Sequence, residues 1–232
     1  MPLVLRPDEE MPLRFNLEVR QERYTIAAKS LSKVLDEGPP QTRPDAAHPN
    51  CVSILDPETN IAATGFVMNT IGFVLTCFHI GVQFVGNPQA LERYRIRETD
   101  GTLSRIDPTF FAYDPHNDIA FLRAMRGTER RIPPVKFHNR DPVAKEGIFY
   151  LSFKEGESPR LHRGVVIGIN QEGLLEFEGY GELGYSGSPL FNQAGYFIGT
   201  LSRKGSQDGR ACARRVHHAR SLLEEVIANL NK

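Results

Sequence analysis

The sequence has few cysteines, no net charge and no long apolar run, and each absence excludes a class of protein. Its three cysteines (Cys51, Cys77 and Cys212) are an odd number in 232 residues, which argues against a disulfide framework. The 28 Lys and Arg residues balance the 28 Asp and Glu residues, so charge gives no support for a nucleic-acid or anionic-membrane partner. No run approaches the roughly 18 apolar residues that a membrane span needs.

The start of the sequence also lacks the pattern of an export signal. Its apolar run of Leu3, Val4 and Leu5 stops at Arg6, whereas a signal peptide carries a longer apolar stretch behind a basic start. Together with the low cysteine content, this predicts a reduced, cytoplasmic protein.

The first fifty residues predict a helical appendage. Residues 20–36 place apolar side chains on one helical face. Gly38 is a plausible residue to end this helix, and the four prolines of 38–49 are typical of a linker. The sequence therefore predicts an N-terminal extension over 1–49.

After residue 50 the apolar pattern changes to the period of two that is typical of strands. Strands are predicted in two sets of six with a Pro-rich linker at 125–145 between them. The first set is 51–55, 62–69, 72–76, 91–97, 109–113 and 119–123; the second is 147–153, 162–169, 174–178, 188–191, 196–202 and 211–216. Two sets of six strands indicate two antiparallel barrels, because closing each sheet removes its edges.

The predicted organisation is therefore all-β, with two six-stranded antiparallel barrels between an N-terminal and a C-terminal helix. The main domain covers 50–232, with its first barrel at 50–124 and its second at 146–216. The C-terminal helix is predicted at 217–231, where the apolar residues fall on one stripe.

Ser186 is a candidate nucleophile because it lies between Gly184 and Gly187 in the segment Gly-Tyr-Ser-Gly-Ser-Pro-Leu. Glycines allow a tight turn, in which the N–H groups of Gly184 and Ser186 converge on one oxygen. Taken alone, a serine in such a segment is more often part of a surface turn.

His79 and Asp118 are candidates for the base and for the carboxylate that orients it. His79 follows the apolar run 73–78, and Asp118 precedes the apolar run 119–122, so each stands at the end of a predicted strand. A half-buried carboxylate needs a partner, and a histidine N–H would serve. Each residue alone is more often structural, but nucleophile, base and orienting acid together have the composition of a catalytic triad.

The three segments together resemble the chymotrypsin/trypsin-fold serine peptidases, and most closely the bacterial trypsin-like, HtrA-like branch. That family has a Leu-Thr-x-x-His turn, an Asp-Ile/Leu-Ala-Leu strand and a Gly-x-Ser-Gly-Gly-Pro-Leu loop. This chain has Leu75-Thr76-Cys77-Phe78-His79, Asp118-Ile119-Ala120-Phe121 and the segment 184–190, with Ser188 in place of the second glycine. The resemblance covers roughly 50–232 and implies a chymotrypsin-like fold without a PDZ domain.

The resemblance also implies roles for individual residues. It makes His79, Asp118 and Ser186 the catalytic triad, and Gly184 and Ser186 the oxyanion hole. It assigns the primary specificity pocket to Tyr180, Gly181, Ser202, Arg203, Lys204, Ala211 and Ala213. Ser202 takes the place of a serine that hydrogen-bonds the triad aspartate in many members. If Arg203 or Lys204 faces the pocket, cleavage after Asp or Glu is expected.

These observations favour a serine endopeptidase that acts on polypeptides without a metal or an organic cofactor. A catalytically silent peptide-binding module and a hydrolase of non-peptide esters are the alternatives. The N-terminal helix is expected either to add to the core or to dock a partner or regulatory protein.

Overall fold

The computed structural model describes residues 21–35, 50–56, 58, 62–87, 89–125, 135–153, 159–205 and 209–230. The predicted linker at 38–49 lies outside the described residues, as do residues 126–134 of the predicted linker at 125–145. Within the described part of the chain, no helix has both the length and the apolar character needed to cross a membrane.

The first six strands close into an antiparallel barrel in the order β1-β2-β3-β6-β5-β4. The strands are β1 (Cys51–Leu55), β2 (Ala62–Val67), β3 (Phe73–Thr76), β4 (Arg95–Arg97), β5 (Leu103–Asp114) and β6 (Ile119–Met125). Its interior is filled by alternating apolar residues such as Val52, Ile54, Val74 and Leu122, all fully buried. Barrel closure therefore positions the ends of β3 and β6 side by side, with Thr76 opposite Ala120.

The second six strands close into a barrel in the order β10-β11-β12-β9-β8-β7. The strands are β7 (Gly147–Ser152), β8 (Arg160–Ile169), β9 (Leu175–Glu178), β10 (Pro189–Asn192), β11 (Phe197–Lys204) and β12 (Arg210–Arg215). Two closed six-stranded barrels confirm the predicted fold class.

Two short helices of the first barrel were missed by the sequence pattern. The predicted strand at 91–97 begins as a helix, α3 (Gln89–Arg93), and only Arg95–Arg97 form a strand. The segment Gln-Ala-Leu-Glu-Arg consists of good helix formers, which explains the difference. A second short helix, α2 (Phe78–Gly81), follows β3 directly.

The terminal helices pack together, as the shared core cluster indicates. Helix α1 (Gln21–Leu35) buries Ala28, Leu31 and Val34 in the same cluster as Leu223 and Val226 of α4 (Val216–Leu230). That cluster also contains residues of both barrels, so it joins the helices to the barrel interface. Val216, predicted as the end of a strand, begins α4 instead.

Candidate active site

His79 lies in α2, immediately beyond the end of β3. The preceding Phe78 is buried and its ring stacks on Tyr113 at 5.1 Å, which fixes the start of this short helix. The His79 side chain remains 45% exposed. The helix therefore presents the imidazole at the surface while its neighbour is anchored in the core.

Asp118 ends the turn that joins β5 to β6. Asp114 shapes this turn by accepting hydrogen bonds from the backbone N–H and the side-chain amide of Asn117, at 3.0 and 2.6 Å. Asp118 has φ of 50°, a left-handed conformation that aspartate tolerates better than most residues. Such backbone strain persists where the surrounding structure enforces it, and here the enforcing contacts are those made by the Asp118 carboxylate.

The Asp118 carboxylate accepts hydrogen bonds from three donors. His79 Nδ1 lies 2.9 Å from Oδ2 and 3.0 Å from Oδ1, and the His79 backbone N–H donates to Oδ1 at 2.9 Å. The Ser202 hydroxyl donates to Oδ2 at 2.6 Å. Burial opposes ionisation of this carboxyl, but the bonds from His79 and Ser202 outweigh it, so its pKa is below the usual value. Asp118 is thus a charged, well-bonded group beside the imidazole.

Ser186 lies in the turn before β10, between Gly184 at φ 93° and Gly187 at φ 89°. A side chain at Gly187 would collide with the carbonyl of Thr64, so glycine is required there for space as well as for φ. The amides of Gly184 and Ser186 donate to no acceptor among the described residues. As far as the described residues show, these two N–H groups are free at the nucleophile candidate.

The Ser186 hydroxyl donates to the backbone carbonyl of Ser202 at 3.4 Å, which is a long hydrogen bond. Among the hydrogen bonds of the described residues, none joins Ser186 to His79. The structure thus brings Asp118 into direct contact with both His79 and Ser202, and the Ser186 hydroxyl bonds to the backbone carbonyl of the same Ser202.

Tyr185 packs beneath the serine turn, in a cluster of rings from the second barrel. It is buried, and its ring centroid lies 5.2 Å from that of His162, which stacks on Tyr150 at 4.7 Å. His162 Nε2 lies 2.8 Å from the Ser152 hydroxyl, and burial lowers the pKa of this imidazole. These contacts anchor the residue that precedes the candidate nucleophile.

Thr64 of β2 was not predicted as a site residue. Its backbone N–H donates to Ser186 O at 2.9 Å and its hydroxyl donates to Gly184 O at 2.8 Å. The sequence marks Thr64 only by its place in the Thr-Gly-Phe-Val segment, which does not reveal a contact 120 residues along the chain.

The residues assigned to the specificity pocket occupy different environments. Tyr180 is 68% exposed, and its backbone N–H donates to the Tyr150 hydroxyl at 2.9 Å. Ala211 and Ala213 are fully buried, and Gly181 is half-buried. Arg203 is exposed, and its charge is paired with that of Glu172. The side chain of Lys204 lies outside the described part of the structure.

A groove of about 310 Å³ lies beside Tyr180. It is lined by Arg163, Gly164, Val165, Glu178, Gly179, Tyr180 and Gly209. Tyr180 is the one member of this lining that the resemblance assigns to substrate binding, and no triad candidate contributes to it.

Potential metal ligands meet at one place in the described residues, where atoms of Cys77, His79 and Asp118 lie within 4.8 Å of one another. These groups are already engaged, since Cys77 Sγ lies 3.1 Å from Leu201 O and the Asp118 oxygens accept from His79 and Ser202. Burial also raises the pKa of the Cys77 thiol, which disfavours the thiolate that a metal requires. The hydrogen bonds account for this cluster without a metal.

Comparison with known proteins identifies the family of this chain. A model of the trypsin-like peptidase domain matches residues 63–199. Protease Do-like 5 from the chloroplast of Arabidopsis thaliana is 26% identical over 159 residues, which is 62% of this chain and 49% of that relative. This chain therefore spans about half the length of that relative.

A solved structure shares the fold. The crystal structure of the serine endoprotease from Yersinia pestis superposes with a TM-score of 0.66 at 18% identity, covering 80% of this chain and 65% of that chain. The family match, together with the two closed barrels, confirms the resemblance drawn from the sequence. The chain therefore belongs to the trypsin-like peptidase domain family.

Proposed function

We propose that the protein is a serine endopeptidase in which Ser186 is the nucleophile, His79 the general base and Asp118 the orienting carboxylate. The observation that carries the proposal is the Asp118–His79 pair, at 2.9 Å, together with a serine turn in which the amides of Gly184 and Ser186 have no acceptor among the described residues. The family match supports a peptidase activity, and the relative from Arabidopsis is named as a protease.

The Asp118 contact determines how His79 acts. Because Nδ1 faces the carboxylate, the ring proton belongs on Nδ1 and the free lone pair on Nε2. Nε2 then takes the proton of the Ser186 hydroxyl as the serine attacks the scissile carbonyl, and returns it to the leaving amine. The charged Asp118 stabilises the imidazolium that forms in between.

The amides of Gly184 and Ser186 receive the negative charge that develops on the substrate carbonyl. Neither amide has a partner in the described part of the chain, so neither bond must be broken before an oxyanion binds. Each such donor contributes about 3–4 kcal/mol to stabilisation of the transition state in comparable sites. Water then hydrolyses the acyl-enzyme by the same two proton transfers.

Attack requires the Ser186 hydroxyl to leave Ser202 O and turn toward His79. The bond that it gives up is long, at 3.4 Å, and costs little to replace. Catalytic hydrogen bonds are often loose in the absence of substrate and tighten when it binds, so this rotation belongs to the proposed cycle.

The proposed substrate is a polypeptide. The resemblance implies that it binds at the specificity pocket formed by Ser202–Lys204 and by residues 180–181 and 211–213. Engagement of Arg203 by Glu172 does not favour cleavage after Asp or Glu. The cytoplasmic location stays a prediction, as do the absence of nucleic-acid and membrane partners and docking of a partner on α1.

The test compares Ser186→Ala with Ser188→Ala, a serine in the same segment. The Ser188 hydroxyl is buried and has no partner in the described residues, so its removal is a matched control. We expect the wild type and Ser188→Ala to hydrolyse a peptide library and to take up a fluorophosphonate label, and Ser186→Ala to do neither while keeping its fold.

Two outcomes would replace the proposal. A wild type that binds peptides but neither hydrolyses them nor takes the label would be a binding module. A wild type that takes the label and turns over simple esters but no peptides would be an esterase. Hydrolysis that survives in Ser186→Ala would overturn the assignment of the nucleophile.

A further inference from the structure

Thr64 is a fully buried residue whose polar atoms all bond to segments that lead to the candidate site. Its N–H and hydroxyl donate to the serine turn, as described above, and its carbonyl accepts from the Thr76 hydroxyl at 2.9 Å. Thr76 ends β3, three residues before His79. One buried residue of the first barrel thus connects the segment that carries the base with the turn that carries the nucleophile.

The direction of the hydroxyl bond is determined by a second partner. The backbone N–H of Phe153 donates to Thr64 Oγ1 at 3.0 Å. A hydroxyl carries one proton, and an N–H group can only donate, so the proton of Thr64 must point at the carbonyl of Gly184. The hydroxyl therefore joins the end of β7 to the serine turn through a relay that a side chain without a hydroxyl cannot form.

The two bonds from Thr64 hold the peptide groups on either side of the Ser186 amide. Gly184 O and Ser186 O both accept from Thr64, while Tyr185 O accepts from Ser188 N at 3.0 Å. In a trans peptide the C=O and the N–H point in opposite directions. Because Ser188 N holds Tyr185 O, the N–H of Ser186, which belongs to the same peptide group, points in the opposite direction. The bonds from Thr64 hold the two flanking peptide groups, and the bond at Gly184 O also holds the backbone of Gly184.

We propose that Thr64 is a positioning residue that sets the orientation of the oxyanion-binding amides through its hydroxyl. The inference rests on the proposed function, since it assigns Thr64 a part in the same reaction. It touches no substrate and acts only through Gly184 and Ser186. Its removal should therefore lower kcat more than it changes KM.

Thr64→Val tests this with little change in shape, because valine keeps both branches of the side chain and loses only the hydroxyl. Thr64→Ser keeps the hydroxyl and serves as the rescue. Thr76→Val is the matched control, because it also removes a buried hydroxyl that bonds to Thr64, and it leaves the bonds to Gly184 and Phe153 in place. All three are compared with the wild type for kcat, KM and melting temperature on one peptide substrate.

We expect Thr64→Val to lower kcat at least about tenfold with KM within about threefold, since loss of one oxyanion donor costs about a hundredfold or more. Thr64→Ser and Thr76→Val should keep kcat within about threefold of the wild type. An unchanged kcat in Thr64→Val, or an equal loss in Thr76→Val, would overturn the proposal.

Two further results keep the test decisive. If Thr64→Val does not fold, Thr64→Cys replaces it, and because a thiol is a weak donor its kcat should fall clearly below that of Thr64→Ser; equal values would contradict the proposal. If the wild type itself shows no turnover and takes no fluorophosphonate label, the proposed function fails. If the wild type is active and Thr64→Val keeps the same kcat, only the proposed role of Thr64 fails.

Discussion

The Ser202 hydroxyl donates to Asp118 Oδ2 at 2.6 Å, which joins β11 of the second barrel to the β5–β6 turn of the first. The same residue accepts the Ser186 hydroxyl through its backbone carbonyl. Ser202 therefore contacts both the orienting carboxylate and the proposed nucleophile, and the relative placement of the two barrels is what brings these groups together.

Replacing Ser202 with alanine should lower kcat/KM about tenfold or more, because a hydrogen bond to a charged group contributes about 1.5–3 kcal/mol. Asp118 would keep its bonds from His79, so catalysis should be reduced rather than abolished. Steady-state kinetics of the purified variant measure the effect.

The control for Ser202→Ala is Thr200→Val, in the same strand. The Thr200 hydroxyl is buried and has no partner in the described residues, so its loss should leave kcat/KM unchanged. If both substitutions lower kcat/KM equally, the loss arises from a disturbance of β11 and not from the missing bond between Ser202 and Asp118.

Asp118→Asn should reduce kcat about 10,000-fold, because an amide can donate to Nδ1 and so favour the wrong tautomer of His79. It should also change the acid dependence of stability. The pKa of Asp118 is lowered in the folded protein, so its charge stabilises the fold above the ordinary aspartate pKa and this stabilisation is lost as pH falls through the folded value.

Both effects of Asp118→Asn are measurable on one preparation. Turnover gives the first, and denaturant unfolding across the acid range gives the second. The variant should lose less stability than the wild type on acidification. Full activity in Asp118→Asn would contradict its role as the orienting group.

The sequence was sufficient to predict both barrels, because the period of two is local and persists through most strands. It also singled out His79, Asp118 and Ser186 as candidates, since each is flanked by a recognisable segment, and their catalytic roles stay a prediction. The helix at Gln89–Arg93 was missed because a short run containing Ala90 and Leu91 fits either period.

Contacts between segments that are far apart in the chain could not be predicted from the sequence. Whether Arg203 faces the pocket depends on Glu172, which lies 31 residues away in the chain and engages it on the surface. The bonds of Thr64 to the serine turn depend likewise on how two closed barrels meet. Periodicity fixes which face of a strand is buried, but it does not determine which buried hydroxyl meets which carbonyl.

Acidification should destabilise the protein through His218, in the first turn of α4. Burial, the neighbouring His217 ring and Arg215 lower the pKa of His218 to about 4. The unfolded chain, with a histidine pKa of about 6.5, therefore binds the proton first as pH falls. The free energy of unfolding should decrease as pH is lowered from about 6.5 to about 4.

His218→Gln should flatten that pH dependence, as measured by denaturant unfolding at several pH values. His116→Gln is the matched control, because His116 is exposed in the turn before Asp118 and its loss should leave the pH dependence unchanged. A pH dependence that survives intact in His218→Gln would assign it to other groups.

Helix α1 should contribute to stability and leave the chemistry unchanged. Leu31 is fully buried in the cluster that α1 shares with α4, whereas every proposed catalytic group lies after residue 50. Leu31→Ala should therefore lower the free energy of unfolding by about 2–5 kcal/mol, through lost apolar contact and the cavity left behind. The rate per folded molecule, from active-site titration with a fluorophosphonate, should match the wild type.

Lys29→Ala, on the exposed side of the same helix, is the control and should change the free energy of unfolding by less than about 0.5 kcal/mol. A Leu31→Ala protein that keeps its stability but changes its rate would instead favour the alternative, in which α1 regulates access or docks a partner. An equal loss of stability in both variants would show that the burial of Leu31 is not the specific source of the effect, because alanine is the best helix former and neither substitution weakens the helix itself.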